Sequence, residues 1–168
     1  MKYIGILLVL VAGGGMGMYY SRRLYRRVEF LRQADRLLET VGQRLTYTAL
    51  PLGTLWRRLA AEGIFADCLL LSYTVTALDA MSFAAAFSQA VEQAEEAGLL
   101  DEQGRGLLLE FAAVCGRVGP AQQAAQIAAC QSGLRQLARQ AREQAVARGQ
   151  VYQMLGVAGG VGLSLLLL

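Results

Sequence analysis

YIGILLVLVAGGGMGMYY, residues 3–20, and VYQMLGVAGGVGLSLLLL, residues 151–168, are two 18-residue runs without a single charged side chain. At about 1.5 Å per residue, each reaches about 27 Å as a helix, close to the ~30 Å hydrocarbon core of a bilayer. Between them lies a polar middle, residues 21–150, long enough for one core and too short for two. The pattern predicts transmembrane helices over 1–20 and 151–168 and a small domain over 21–150, tethered to one membrane by both ends.

The charges give this arrangement a direction. Apart from Lys2 every base is an arginine, and nine of the fifteen arginines fall between Arg22 and Arg58. Arg22, Arg23, Arg26 and Arg27 follow the first run directly, and Arg139, Arg142 and Arg148 precede the second. Positive charge is retained on the cytoplasmic side, so both flanks place residues 21–150 in the cytoplasm and both termini outside. A cleaved signal peptide competes for residues 1–20, supported by Gly13, Gly14 and Gly15; the weak basic start and the arginines just downstream argue against it.

The middle is expected to be all helical. Proline occurs only at Pro51 and Pro120, and Ala, Leu, Gln, Glu and Arg dominate. Leu24, Leu31, Leu38 and Leu45 recur every seven residues, with Val28 and Val41 on the same stripe and arginines opposite. Asp35 and Gly42 interrupt that stripe, which favours one helix of an antiparallel bundle over a free coiled coil. Pro51 ends this first helix and opens a short one, Leu52 to about Glu62, stopped by Gly63. Residues 64 to about 78 are apolar enough to lie deep in the bundle. Ser82 is the expected N-cap of a helix ended by Gly98, and Asp101 that of the next, to about Val118, with Gly104, Gly106 and Gly116 blurring its bounds. After Gly119-Pro120 one long helix runs into the second apolar run, with Ile127, Leu134, Leu137, Ala141 and Ala145 as its stripe. Leu31, Leu38, Leu45, Ile127, Leu134 and Leu137 are expected to be buried between the two long helices.

The inventory of chemistry is short. Without histidine there is no imidazole catalysis or ligation, and without a lysine after Lys2 there is no phosphate-binding Gly-rich loop ending in Lys-Ser or Lys-Thr. Cys68, Cys115 and Cys130 have no metal spacing and are expected as buried thiols in a reducing compartment. The arginines lack the aromatic interleaving of a nucleic-acid surface, so no nucleic-acid partner is expected. Trp56, the sole tryptophan, is expected in the core. No catalytic, cofactor or metal site is expected. Small residues let membrane helices approach closely, and Gly156 with Gly160 has the most suggestive spacing for such a contact.

Three stretches together resemble the stage III sporulation protein AB family of endospore-forming bacteria. The first is Leu38-Glu39, then Leu45, Tyr47 and Leu50-Pro51-Leu52, where Leu50 replaces a threonine and Arg44 stands where an acid is usual. The second is Val118-Gly119 followed by Gln122 and Gln126, with Val118 and Gln122 replacing a leucine and an aspartate. The third runs from Arg148 through Tyr152, Leu155-Gly156 and Gly160 to the terminal leucines. The resemblance implies a cytoplasmic helical bundle between two membrane segments, similar to the inner-membrane platform protein of type II secretion and type IV pilus machines. It implies a place in the mother-cell membrane around the forespore, within the channel complex joining the two cells. It also implies partners: the cytoplasmic secretion-type ATPase of the same operon, the other membrane proteins of that complex, membrane lipid and a possible second copy of the chain. The alternative is a membrane-tethered platform of a secretion or pilus-like system outside sporulation.

Two charged surfaces compete for docking the ATPase, because exposed charge steers encounter more than it sets fold. One is the acidic stretch Glu92, Glu95, Glu96, Asp101 and Glu102; the other comprises Arg44, Arg57 and Arg58 near the Pro51 turn. The acidic stretch is preferred, on the expectation that it lies in the membrane-distal half of the bundle.

Overall fold

The computed structural model describes the backbone of residues 2–47, 50–114 and 120–166, and the side chains of 22–45, 47, 50–114 and 122–147. All the regular structure among them is helical: α1 (Lys2–Tyr47), α2 (Leu52–Ala61), α3 (Leu69–Ala77), α4 (Phe83–Glu96), α5 (Glu102–Val114) and α6 (Pro120–Leu166). The chain divides into two compact units, one of residues 27–139 and one of residues 1–26 with 140–168.

Local chemistry sets most of the helix ends. Pro51, with φ of −59°, sits at the N-cap of α2, where its missing N–H costs nothing. Gly63, with φ of +70°, takes the left-handed turn that ends the segment after α2. The Ser82 hydroxyl accepts from the Ala85 N–H at the start of α4. At the other end of α4, Gly98 (φ +70°) bonds back to the Glu95 carbonyl and Leu99 to that of Ala94, a Schellman closure. Asp101 caps α5, its Oδ1 accepting from the Gly104 N–H at 3.0 Å.

In the 27–139 unit, α1 buries a broad face. Val28, Phe30, Leu31, Ala34, Leu37, Leu38 and Val41 are all sealed from solvent, which takes in Val28, Leu31, Leu38 and Val41 of the expected stripe and a second row beside it at Phe30 and Leu37, while Leu24 is only half-buried. The interruptions of the stripe are where α6 meets α1. At Gly42 an added Cβ would stand 3.1 Å from the Ile127 side chain. At Asp35 the carboxylate accepts from Arg135 Nε at 3.0 and 3.1 Å. Moving back seven residues along α1 moves forward eight along α6, so the two run antiparallel. Ile127, Leu134 and Leu137 are buried as expected.

A second cluster is aromatic. Trp56 of α2 is fully buried and meets Phe83 and Phe87 of α4 edge-on, with centroids at 5.1 and 5.9 Å. Phe87 in turn lies 5.5 Å from Phe111 of α5. These contacts tie α2, α4 and α5 into one core, with α3 packed on both α2 and α4.

Three expectations change. Leu45 is only half-buried. Ile64 is not deep in the bundle: it is 68% exposed, because residues 64–67 form a turn and α3 starts only at Leu69. Gly104 lies in the first turn of α5, where its lack of a side chain admits Leu100, 2.9 Å from where a Cβ would stand. Among the described residues no helix is long and apolar enough to cross a membrane. Residues 3–20 and 151–166 belong to α1 and α6, but their side chains lie outside the described residues, so the structure lends the two flanking membrane segments no support.

Ala141 and Ala145 of the other unit are buried as their stripe predicts, while Arg22, Arg23, Arg26 and Arg142 are exposed.

Candidate functional site

Three surfaces of the 27–139 unit carry the chemistry that a partner would meet. The first is the acidic stretch. Glu92 and Glu96 are exposed four residues apart on one face of α4, opposite the buried Ala86, Phe87, Ala90, Val91 and Ala94. Glu102 is exposed in the first turn of α5, where a negative charge suits the helix dipole. The other two acids are used by the fold. Glu95 Oε2 lies 2.9 Å from Arg105 Nε, linking α4 to α5. Asp101 is in an ion pair with Arg27 of α1 as well as capping α5.

The Arg27–Asp101 pair brings the α4–α5 connection to the Arg27 end of the α1 segment within the 27–139 unit.

The basic surface lies toward the other end of α1. Arg44 donates to Glu62 through both of its terminal nitrogens, each bond 2.6 Å long. Arg57 donates to the Leu78 carbonyl at 3.1 Å and to Asp79 at 2.7 Å, holding α2 against the end of α3. Arg58 is exposed beside it. Two of the three arginines thus work as clamps within the unit, which leaves less of their charge for a partner.

The Arg44–Glu62 clamp has a pH signature. The side-chain hydrogen bonds from Arg44 hold the Glu62 carboxyl below its ordinary value, and Glu62 raises Arg44 in return. A carboxyl depressed on folding stabilises above its unfolded pKa of about 4.3, and that stability is lost as pH falls through the folded value. The urea midpoint of the native chain is therefore expected to exceed that of Glu62→Gln at neutral pH, and the two to converge in acid. A gap that did not close on acidification would remove the clamp from the account.

The third surface is a groove of about 530 Å³ that sequence reasoning missed. One wall is the polar face of α1, including Glu29, Gln33, Arg36, Thr40 and Gln43; the other is the α2–α3 loop, with Ile64, Phe65, Asp67 and Cys68. The signal in the sequence was the three- and four-residue spacing of that polar face, but its second wall exists only once Gly63 and the Arg44–Glu62 clamp have turned the loop. Burial pushes the Cys68 thiol up, so it is neutral at physiological pH. Cys130 is also a buried thiol, and Cys115 lies outside the described residues.

Among the described residues, no three cysteine, aspartate or glutamate side chains gather closely enough to hold a metal ion. Gly156 and Gly160 fall where the side chains lie outside the described residues, as do those of Arg148, Tyr152 and Leu155. Tyr47 is 87% exposed and Leu52 buried, while Arg44 pairs with Glu62.

No curated protein and no solved structure matches the chain significantly. A model of the family described as stage III sporulation protein AB matches residues 2–168. That match takes in α1 to α6 and every surface described above, so the chain belongs to the stage III sporulation protein AB family and to stage III of sporulation.

Proposed function

We propose that the protein is a non-enzymatic platform in the mother-cell membrane around the forespore, part of the channel complex joining the two cells. Residues 21–150 face the mother-cell cytoplasm and couple a cytoplasmic secretion-type ATPase to the membrane partners. The single observation that carries this reading is the continuity of α1 and α6: each contains a charge-free run and passes unbroken into the helical segments of the 27–139 unit. The family match supports the sporulation setting, and the sequence contains no histidine. The tethering itself rests on the charge pattern, arginines inside and apolar runs outside.

The ATPase docks on Glu92, Glu96 and Glu102, the members of the acidic stretch with no ion pair among the described residues; Glu95 and Asp101 serve the fold. Exposed carboxylates of this kind act through long-range steering and are screened by salt. Co-purification of the full chain with its operon's ATPase tests the reading. Glu92→Lys with Glu96→Lys is expected to leave helicity and melting temperature nearly unchanged and to weaken ATPase binding by about tenfold, more at low salt. Unchanged binding, with loss on Arg58→Glu, would move docking to the basic surface. No co-purification under any condition would sink the coupling role.

A further inference from the structure

Over residues 27–47, α1 has a buried face and a polar one. Glu29, Gln33, Arg36, Thr40 and Gln43 follow a four-three-four-three spacing, so they share one helix face over about 21 Å. Such a face is ordinarily only solvated. Here it is walled by the α2–α3 loop, which presents Ile64, 68% exposed, with Phe65 beside it. Glycine geometry at Gly63 and the two Arg44–Glu62 bonds fix that loop against α1. Of the groove's carboxylates, Glu39 lies 3.7 Å from Arg135, which leaves Glu29 and Asp67 against its one base, Arg36.

We infer that this groove docks a basic amphipathic helix of a second membrane protein, the cytoplasmic continuation of that partner's own membrane segment. The inference rests on the membrane-tethered reading above. Cations at helical spacing on the partner meet Glu29 and Asp67, and an apolar side chain covers Ile64 and Phe65. Cytoplasmic segments next to a membrane span are enriched in arginine and lysine. Such a helix leaves the bilayer beside α1, whose Glu29 is nine residues beyond Tyr20. A second copy of the chain fits poorly. Two copies in one membrane hold their α1 helices parallel, which sets Glu29 against Glu29 and Arg36 against Arg36, and like charges repel. An antiparallel pair relieves that repulsion only by placing the two first runs in opposite membranes.

The test uses the full chain in nanodiscs of phosphatidylcholine alone, whose neutral surface does not attract a basic probe. The probe is a fluorescent helical peptide of about twenty residues, long enough to line the groove. It carries lysines on one face and leucines at one end; the control has glutamate at every lysine. By anisotropy the basic peptide is expected to bind about tenfold tighter than the acidic one. Glu29→Lys with Asp67→Lys should erase the preference, whereas Glu92→Lys with Glu96→Lys should not. Should the first variant melt early, Glu29→Gln with Asp67→Asn replaces it and should give an intermediate preference. A photo-crosslinker at Thr40 should capture the peptide, and one at Gln93 should not. Equal binding of both peptides would overturn the inference, as would a preference that survives reversal. Crosslinks at Thr40 only between copies of the chain would make the groove a self-interface. Loss of ATPase co-purification with the peptide preference intact would count against the platform reading and leave the groove standing.

Discussion

Trp56→Ala is expected to cost about 3–5 kcal/mol of unfolding free energy, the largest effect of any single change considered for this chain. The indole is fully buried and meets both Phe83 and Phe87 edge-on. Its removal deletes these ring contacts between α2 and α4 and leaves a cavity in the core. One feature tempers the loss. Trp56 Nε1 is buried without a hydrogen-bond partner among the described residues, so the native side chain already bears an unsatisfied donor. Trp56→Phe keeps an aromatic edge toward α4 and deletes that donor, and its cost should fall well below that of alanine. Urea denaturation of the full chain in detergent, followed by circular dichroism, measures both. An alanine variant within about half a kcal/mol of the native chain would deny the aromatic cluster a role in stability.

The bounds of the helices were largely legible in the sequence because local chemistry sets them. Pro51, Gly63, Ser82, Gly98 and Asp101 each act through their own backbone or a neighbour within a few residues, and each stands where the punctuation predicts. What a heptad count cannot see is how many neighbours a helix has. The second buried row of α1, Phe30 and Leu37, arises because that helix is covered on more than one side. Asp35 and Gly42 looked like defects in a stripe because their partners, Arg135 and Ile127, are remote in sequence.

The candidate sites were legible to a lesser degree, for the same reason. Composition showed where carboxylates cluster, but not that Asp101 is committed to Arg27 and Glu95 to Arg105. Those pairings decide which acids remain for a partner. They also decide at which end of α1 the acidic stretch lies. The groove was hidden more deeply, since it needs a loop whose apolar residues had been assigned to the core. Ile64 is exposed because the tight turn after Gly63 leaves no helical face on which to bury it.

Leu38→Ala, with Leu45→Ala as its contrast, separates the two kinds of position on one heptad stripe. Leu38 is completely buried, flanked along α1 by Ala34, Leu37 and Val41, which are equally sealed. Deleting its isobutyl group removes apolar burial and leaves a void between well-packed helices, at an expected cost of about 2–5 kcal/mol. Leu45 belongs to the same repeat but is half-buried, two residues before α1 ends at Tyr47, where the surroundings can close over a smaller side chain. Its truncation should cost less than half as much as that of Leu38. The sole tryptophan reports both, since Trp56 is buried in the same 27–139 unit and its emission shifts on unfolding. Equal losses at the two sites would mean that the seven-residue repeat, and not the packing of α1, sets their worth. A loss at Leu38 below about half a kcal/mol would put that side chain on the surface and undo the proposed core.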